Sequence, residues 1–184
     1  RVQSGPSWSY RLSAGADLTS ADVSAIRAGS GNLLLANNRR IRTGSGSISI
    51  ATGGELRLAG SNAAIYTAGE QRGTGSFDPI FTEILLNADY LGNGGNIRID
   101  AHSGVRGVAT PVLPDWLSRI GGDNPIVGER VRTAWAVNVG AFTQGIGALG
   151  GGAVSITSAG DLTDVTVALP TTGQPSLSSA GLSG

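Results

Sequence analysis

The chain predicts an all-β protein: a triangular parallel β-helix of about 20–25 residues per coil, with two loop insertions and at most a short helix. Three observations carry this expectation. Short apolar alternations recur along the chain, 30 of the 184 residues are glycine, and the 40% hydrophobic content includes only 5% aromatic residues. The glycine share is more than twice the roughly 7% usual in soluble proteins, which favours frequent corners over long helices. Few aromatics leave the core to Val, Ile, Leu and Ala, and that apolar content excludes a disordered chain.

The recurring unit is a pair of apolar residues at i and i+2, a turn containing Gly or Asn, and a further apolar residue at i+8. It occurs at Leu33, Leu35 and Ile41, at Ile48, Ile50 and Leu56, at Ile97, Ile99 and Val105, and at Val154, Ile156 and Leu162. Each period-2 run reads as a half-buried strand. The turns are marked by Gly44-Ser45-Gly46, Gly53-Gly54, Gly94-Gly95 and Gly150-Gly151-Gly152. Between Leu33 and Tyr66 the runs begin at 33, 41, 48, 56 and 65, so three strand-plus-turn units make one coil. A hairpin meander would call for two-residue Asn-Gly or Asp-Gly loops between equal strands, which these turns lack. In a three-walled solenoid the inward residues stack into one apolar column and glycine turns the corners.

Two stretches depart from the repeat. Residues 70–90 carry Phe77, Asp78-Pro79, Phe81 and Ile84-Leu85-Leu86, and read as a loop that leaves one corner and re-enters the wall. Residues 107–134 are the larger departure. There Pro114 stands at a first helical position and Gly121 at a stop, which predicts one or two helical turns whose Trp116 and Leu117 cover the wall. One β-helix domain is expected over 1–172, with a Ser/Gly/Pro-rich linker or frayed end over 173–184.

Composition narrows the function classes. Thirteen basic residues balance 13 acidic ones and only 14% of the chain is charged, so no global field draws nucleic acid or an anionic membrane. The absence of Cys excludes disulfides, zinc–thiolate sites and cysteine nucleophiles. No apolar run is long enough to predict a bilayer span. Arg1 is not followed by a charged and then an apolar leader segment, so an interior or processed piece of a longer chain is expected.

Several motifs in order then carry a resemblance. Ser7-Trp8-Ser9-Tyr10-Arg11-Leu12-Ser13-Ala14-Gly15-Ala16-Asp17-Leu18, Arg42-Thr43-Gly44-Ser45-Gly46, Ile65-Tyr66-Thr67-Ala68-Gly69 and Gly94-Gly95-Asn96-Ile97 resemble the filamentous haemagglutinin-like large exoproteins. Asp115-Trp116-Leu117, Ala134-Trp135, the run Phe142 to Gly152 and Ala159-Gly160-Asp161-Leu162 continue the match, which covers residues 7 to about 172. The resemblance implies a secreted bacterial surface protein with a right-handed β-helical shaft, exported through an outer-membrane β-barrel partner by two-partner secretion. It implies adhesion to cells or surfaces, aggregation and biofilm. The Asn-rich signature of the amino-terminal secretion domain has no counterpart here, so the piece is expected to be interior shaft.

Local constellations add candidates. Gly145-Ile146-Gly147-Ala148-Leu149-Gly150 has the letters of a dinucleotide fingerprint, but a strand-like Ala153-Val154-Ser155-Ile156 follows where a helix is required, and no cofactor is expected. Arg98, Asp100 and the single His102 alternate with Ile97, Ile99 and Ala101 on one outward face, a cluster that reads as a solvated polar face unless a second carboxylate joins it. No metal site is expected, since the Gly-Gly-x-Gly-x-Asp calcium repeat is absent. Trp8, Tyr90, Trp116 and Trp135 are candidate sugar-stacking residues, set against a role covering apolar rims. Arg39 and Arg40, beside Arg42, form the one dense basic patch, a candidate contact for acidic glycans. The expected function is a non-enzymatic adhesive shaft segment at the bacterial cell surface. The alternatives are a self-assembling extracellular filament subunit, through end-to-end association of uncapped solenoid ends, and a β-helical carbohydrate-active enzyme.

Overall fold

The computed structural model describes residues 5–74, 89–109, 116–120 and 134–171. They are nearly all β, with parallel strands stacked in three sheets and a single 3-10 turn, Val139–Ala141. The first wall contains Tyr10–Ala14 (β1), Ile48–Thr52 (β4), Ile97–Ala101 (β9) and Val154–Ser158 (β14). In the second wall lie Leu33–Ala36 (β2), Glu55–Ala59 (β5), Gly104–Arg106 (β10) and Asp161–Thr163 (β15). Arg40–Thr43 (β3), Ala64–Thr67 (β6), Gly145–Ala148 (β13) and Val167–Ala168 (β16) form the third. The chain visits the walls in the same cyclic order four times, and within each wall the strands follow chain order. This stacking fits a parallel β-helix.

Register shows why the alternation folds this way. Ile48 pairs with Ile97 and Ile97 with Val154, while Ile50, Ile99 and Ile156 form the neighbouring column. Leu33, Leu56, Val105 and Leu162 align in the second wall, and Ile41, Ile65, Ile146 and Val167 in the third. Inward residues from all three walls meet in one buried cluster that includes Ile50, Ile99, Leu56, Val105, Ile65 and Ile146. The first sequence repeat is therefore out of phase by one wall: Leu33 stacks on Leu56, not on Ile48. An alternating run looks the same on every wall, so period alone does not assign it to one.

Corners are held by two stacked devices. Gly46, Gly95 and Gly152 sit one above another so closely that a Cβ on Gly95 would lie 2.1 Å from the Gly46 carbonyl oxygen, and one on Gly152 2.5 Å from that of Gly95. Beside them Ser9 Oγ accepts from Ser47 N, Ser47 Oγ accepts from Asn96 N, and Asn96 Oδ1 accepts from Ala153 N at 2.9, 3.1 and 2.8 Å. Each circuit thus satisfies an orphan backbone donor of the next, as buried and corner amides require. At the neighbouring corner Asn32 Oδ1 accepts from Glu55 N, 23 residues along the chain.

The described parts of the two expected insertions include strands. Glu70–Thr74 (β7) pairs antiparallel with Asp89–Gly92 (β8), and Leu117–Ile120 (β11) with Ala134–Val137 (β12). The helical turns expected around 114–121 are not found at Leu117–Ile120. A Pro and a Gly bracketing a short apolar run suit a strand as well as a helix, and pairing with β12 decides between them. Pro114, Asp115, Gly121 and the tail 173–184 lie outside the described residues. The insertions join through Val137 and Asp89 into a fourth, antiparallel sheet.

Next to this sheet a second core covers the outside of wall three. Tyr66, Phe142, Leu149 and Val137 are fully buried there and Leu91 is buried beside them, and Trp116 and Leu117 pack against this group. Phe142 meets the edges of Tyr66 and Trp116 at 5.4 and 5.2 Å between ring centres, a favoured aromatic geometry. Gly147 makes room for it, since a Cβ there would lie 2.7 Å from the Phe142 ring. The glycines of the dinucleotide-like motif accordingly serve a wall strand and the corner that follows it.

Candidate functional site

Wall two exposes Arg57 and Arg106 outward, and wall three is covered over β6 and β13; the outer face of wall one borders two cavities. Its outward residues form two rows across the strands, Arg11, Ser49, Arg98 and Ser155 in one and Ser13, Ala51, Asp100 and Thr157 in the other. The second row is small apart from Asp100. The result is a trough running across the four strands, about 14 Å at the roughly 4.8 Å spacing of neighbouring strands.

A third departure from the repeat, residues 15–31, forms the far side of the trough. This segment leaves between β1 and β2 and returns through a pinched neck. Gly15 and Gly31 adopt φ of 82° and 80°, and a Cβ on Gly31 would lie 2.0 Å from Gly15 N, so both the angle and the contact require glycine. Such a compact loop with closed ends is an Ω-loop. It is braced internally: Asp17 Oδ1 accepts from Thr19 N and Oγ1 at 3.0 and 2.6 Å, and Asp22 Oδ1 accepts from Ser24 N and Oγ at 2.8 and 2.5 Å. These bonds hold both carboxyls below the usual carboxylate range, with Arg27 helping at Asp17 and Arg11 at Asp22. Gly29 N donates to Gly53 O at 2.6 Å and docks the loop on the second circuit.

Two adjoining cavities lie in the trough. One of about 360 Å³ is hydroxyl-rich, lined by Ser13, Ser24 and Ser49 with Arg11, Arg98 and Asp100. The other, about 240 Å³, is bordered by Ile26, Ala28, Ala51, Ala101 and Ala159 with His102 at its edge. Ala51 and Asp100 belong to both. Arg98 Nε donates to Asp100 Oδ2 at 2.7 Å and Nη2 to Oδ1 at 3.5 Å, a pairing that raises the guanidinium pKa. Asp100 is the one carboxylate among the described lining residues, whereas glycoside hydrolysis by paired carboxylates needs two facing groups. The lining supplies hydrogen-bond donors and acceptors beside an apolar floor. Among the described residues no group of three or more His, Asp or Glu side chains converges as a metal site, and no helix is long and apolar enough to cross a membrane.

The sequence candidates are distributed differently. Arg98, Asp100 and His102 do share the outward side of wall one, as their alternation requires. Trp8 stands 88% exposed ahead of β1, away from any described aromatic partner. Trp116 is packed edge-on against Phe142 and covers wall three. Tyr90 and Trp135 are placed by backbone alone, in β8 and β12, and their side chains lie outside the described residues. Arg39 and Arg40 are both exposed at the start of β3, apart from the trough. Sequence reasoning missed the Ω-loop. Its signal was there in Gly15, Gly29 and Gly31 around two Asp-x-Ser/Thr turns, Asp17-Leu18-Thr19 and Asp22-Val23-Ser24.

Comparison with protein-family models, with curated proteins and with solved structures returns no match for this chain.

Proposed function

We propose that the chain is a stretch of right-handed triangular parallel β-helix, about 20–25 residues per coil, acting as a structural and adhesive shaft segment of a secreted bacterial surface exoprotein. The family it resembles is the filamentous haemagglutinin-like one, with an outer-membrane β-barrel as secretion partner and adhesion or biofilm as the outcome. The observation that carries the reading is the four-fold cyclic stacking of three parallel walls around one thin apolar column. Stacked units of this kind are quasi-one-dimensional, suited to holding a surface feature at a distance. Immobilised chain is expected to retain cells or polysaccharide-coated particles, and to show β-rich circular dichroism. Polysaccharide cleavage with ordinary turnover would contradict the non-enzymatic reading.

A second reading, a self-assembling filament subunit, is favoured by the last circuit. Its inward Leu162 and Val167 are 56% and 43% exposed, whereas Val105 and Ile146 in the circuit before are both 0%. Ile156, Leu162, Val165 and Val167 line an open cavity of about 410 Å³ there. Among the described residues no strand pairs with the outer edges of β14, β15 and β16, which could take a further circuit or a second copy, whose β1, β2 and β3 carry the matching inward residues Leu12, Leu33 and Ile41. Sedimentation velocity over a wide concentration range tests this, and strictly monomeric behaviour counts against it.

A further inference from the structure

We propose that the trough on the outer face of wall one is a binding site for a short neutral oligosaccharide. The inference gives the adhesive half of the proposed function its ligand class and rests on that half alone.

Charge decides the class. Arg98 is held by Asp100, and Arg11 is the remaining cation of the lining, with the Asp22 carboxyl on the loop near enough to be lowered by its charge. On the loop Arg27 is likewise paired with Asp17, at 3.5 Å. Asp100 and Asp22 balance Arg98 and Arg11, so the trough carries no net field to draw a sulfated, uronic or phosphodiester chain. What remains is hydrogen-bonding capacity. Ser13, Ser49 and Ser24 present hydroxyls and Asp100 keeps acceptor capacity beyond its Arg98 bonds, while Ile26, Ala28 and Ala51 offer apolar surface next to them. A pyranose has the same division, a hydroxyl rim around a C–H face.

Shape and rigidity agree with this. The cavities together suit a few sugar rings lying across the strands, while the free strand edges that a peptide would need for strand addition lie at the ends of the wall and not on this face. The loop that walls the trough is pinched by two glycines and braced by four Asp hydrogen bonds, so little ordering cost falls on binding. With a single carboxylate among the described lining residues the site lacks the facing pair that carboxylate-dependent glycoside cleavage uses.

The test is an amide chemical-shift titration of the whole chain with neutral gluco-, galacto- and manno-oligosaccharides, with heparin and hyaluronan fragments as acidic comparators. The expected result is saturable shifts for at least one neutral series, confined to wall one and residues 22–28. Ser49→Leu, which fills the hydroxyl side from a half-buried position, is expected to weaken that binding about tenfold or more, and Arg57→Ser on wall two to leave it unchanged. Asp100→Asn frees the Arg98 guanidinium and is expected to add a preference for the acidic fragments. No shifts with any neutral series, shifts confined to other walls, or binding of acidic fragments alone by the unaltered chain would each overturn the inference. The titration of the unaltered chain decides even if a variant misfolds. The shaft reading would survive such a failure, because it stands on the stacking of the walls.

Discussion

Truncating one residue at equivalent places in successive circuits should cost very different amounts. Ile99 is 0% exposed and stacks between Ile50 on one side and Ile156 on the other. Ile99→Ala removes three carbons, about 2.4 kcal/mol at roughly 0.8 kcal/mol per buried CH₂. The walls are tied in register on both sides and cannot collapse into the gap, so the cavity term brings the loss to about 3–4 kcal/mol. Ile156 is only half-buried, with no strand beyond it among the described residues, and Ile156→Ala is expected to cost about 1 kcal/mol. Urea unfolding followed by far-UV circular dichroism measures both, through the midpoint at constant slope. The column as described predicts a clear ranking. Equal losses at the two positions, or a larger one at Ile156, would refute it.

Three further expectations follow from the corners and the loop. Gly95→Ala places a Cβ 2.1 Å from the Gly46 carbonyl oxygen, and should cost about 1–3 kcal/mol in the same denaturation experiment; a neutral result would mean the corners do not stack. Asn96→Ala removes the acceptor for Ala153 N, and is expected to cost about 1 kcal/mol and to speed hydrogen exchange at Ala153. The Ω-loop should loosen in acid: the carboxyls of Asp17 and Asp22 are depressed in the folded chain. Their contribution is therefore complete above the unfolded value near pH 4 and is lost as pH falls through the lower folded values. Amide exchange in residues 17–27 should rise below about pH 4 while that of Ile50 and Ile99 changes only by the intrinsic rate; loosening on raising the pH would contradict the assignment.

Much of the fold is written in the local pattern. The alternation at Ile48-Ser49-Ile50 and Ile97-Arg98-Ile99 places the right residues inside, and the glycine pairs fall at corners. What the pattern leaves open is which wall a run joins, because all three walls have the same period; hence the misplaced phase of Leu33. Wall three carried a readable signal that alternation obscures. Ala63-Ala64-Ile65-Tyr66 is apolar without interruption and every one of these residues is buried, the mark of a strand covered on both faces. The cover itself, two insertions joined into one sheet, depends on pairing between distant segments, and Leu117–Ile120 takes its strand form from that pairing.

The candidate site was half legible. Arg98 and Asp100 follow from alternation within β9, and His102 from the position just after it. Arg11, Ser13 and Ser49 reach them only through register between circuits, and the Ω-loop reaches them through a fold-back set by Gly15 and Gly31. The aromatic candidates show the reverse. A Trp near a coil end reads equally as a ligand platform or as cover, and Trp116 is cover because Phe142 stands beneath it.

The absence of native cysteine makes the stacking itself directly measurable. Leu34, Arg57 and Arg106 are exposed on wall two in successive circuits, Leu34 paired with Arg57 and Arg57 with Arg106. Neighbouring strands lie about 4.8 Å apart, within reach of a disulfide, while Leu34 and Arg106 are separated by about twice that. Double cysteine variants Leu34→Cys/Arg57→Cys and Arg57→Cys/Arg106→Cys should therefore oxidise to intramolecular disulfides under mild conditions, and Leu34→Cys/Arg106→Cys should not. Efficient cross-linking of the distant pair, or failure of both neighbouring pairs in folded protein, would contradict the parallel stack on which the account rests.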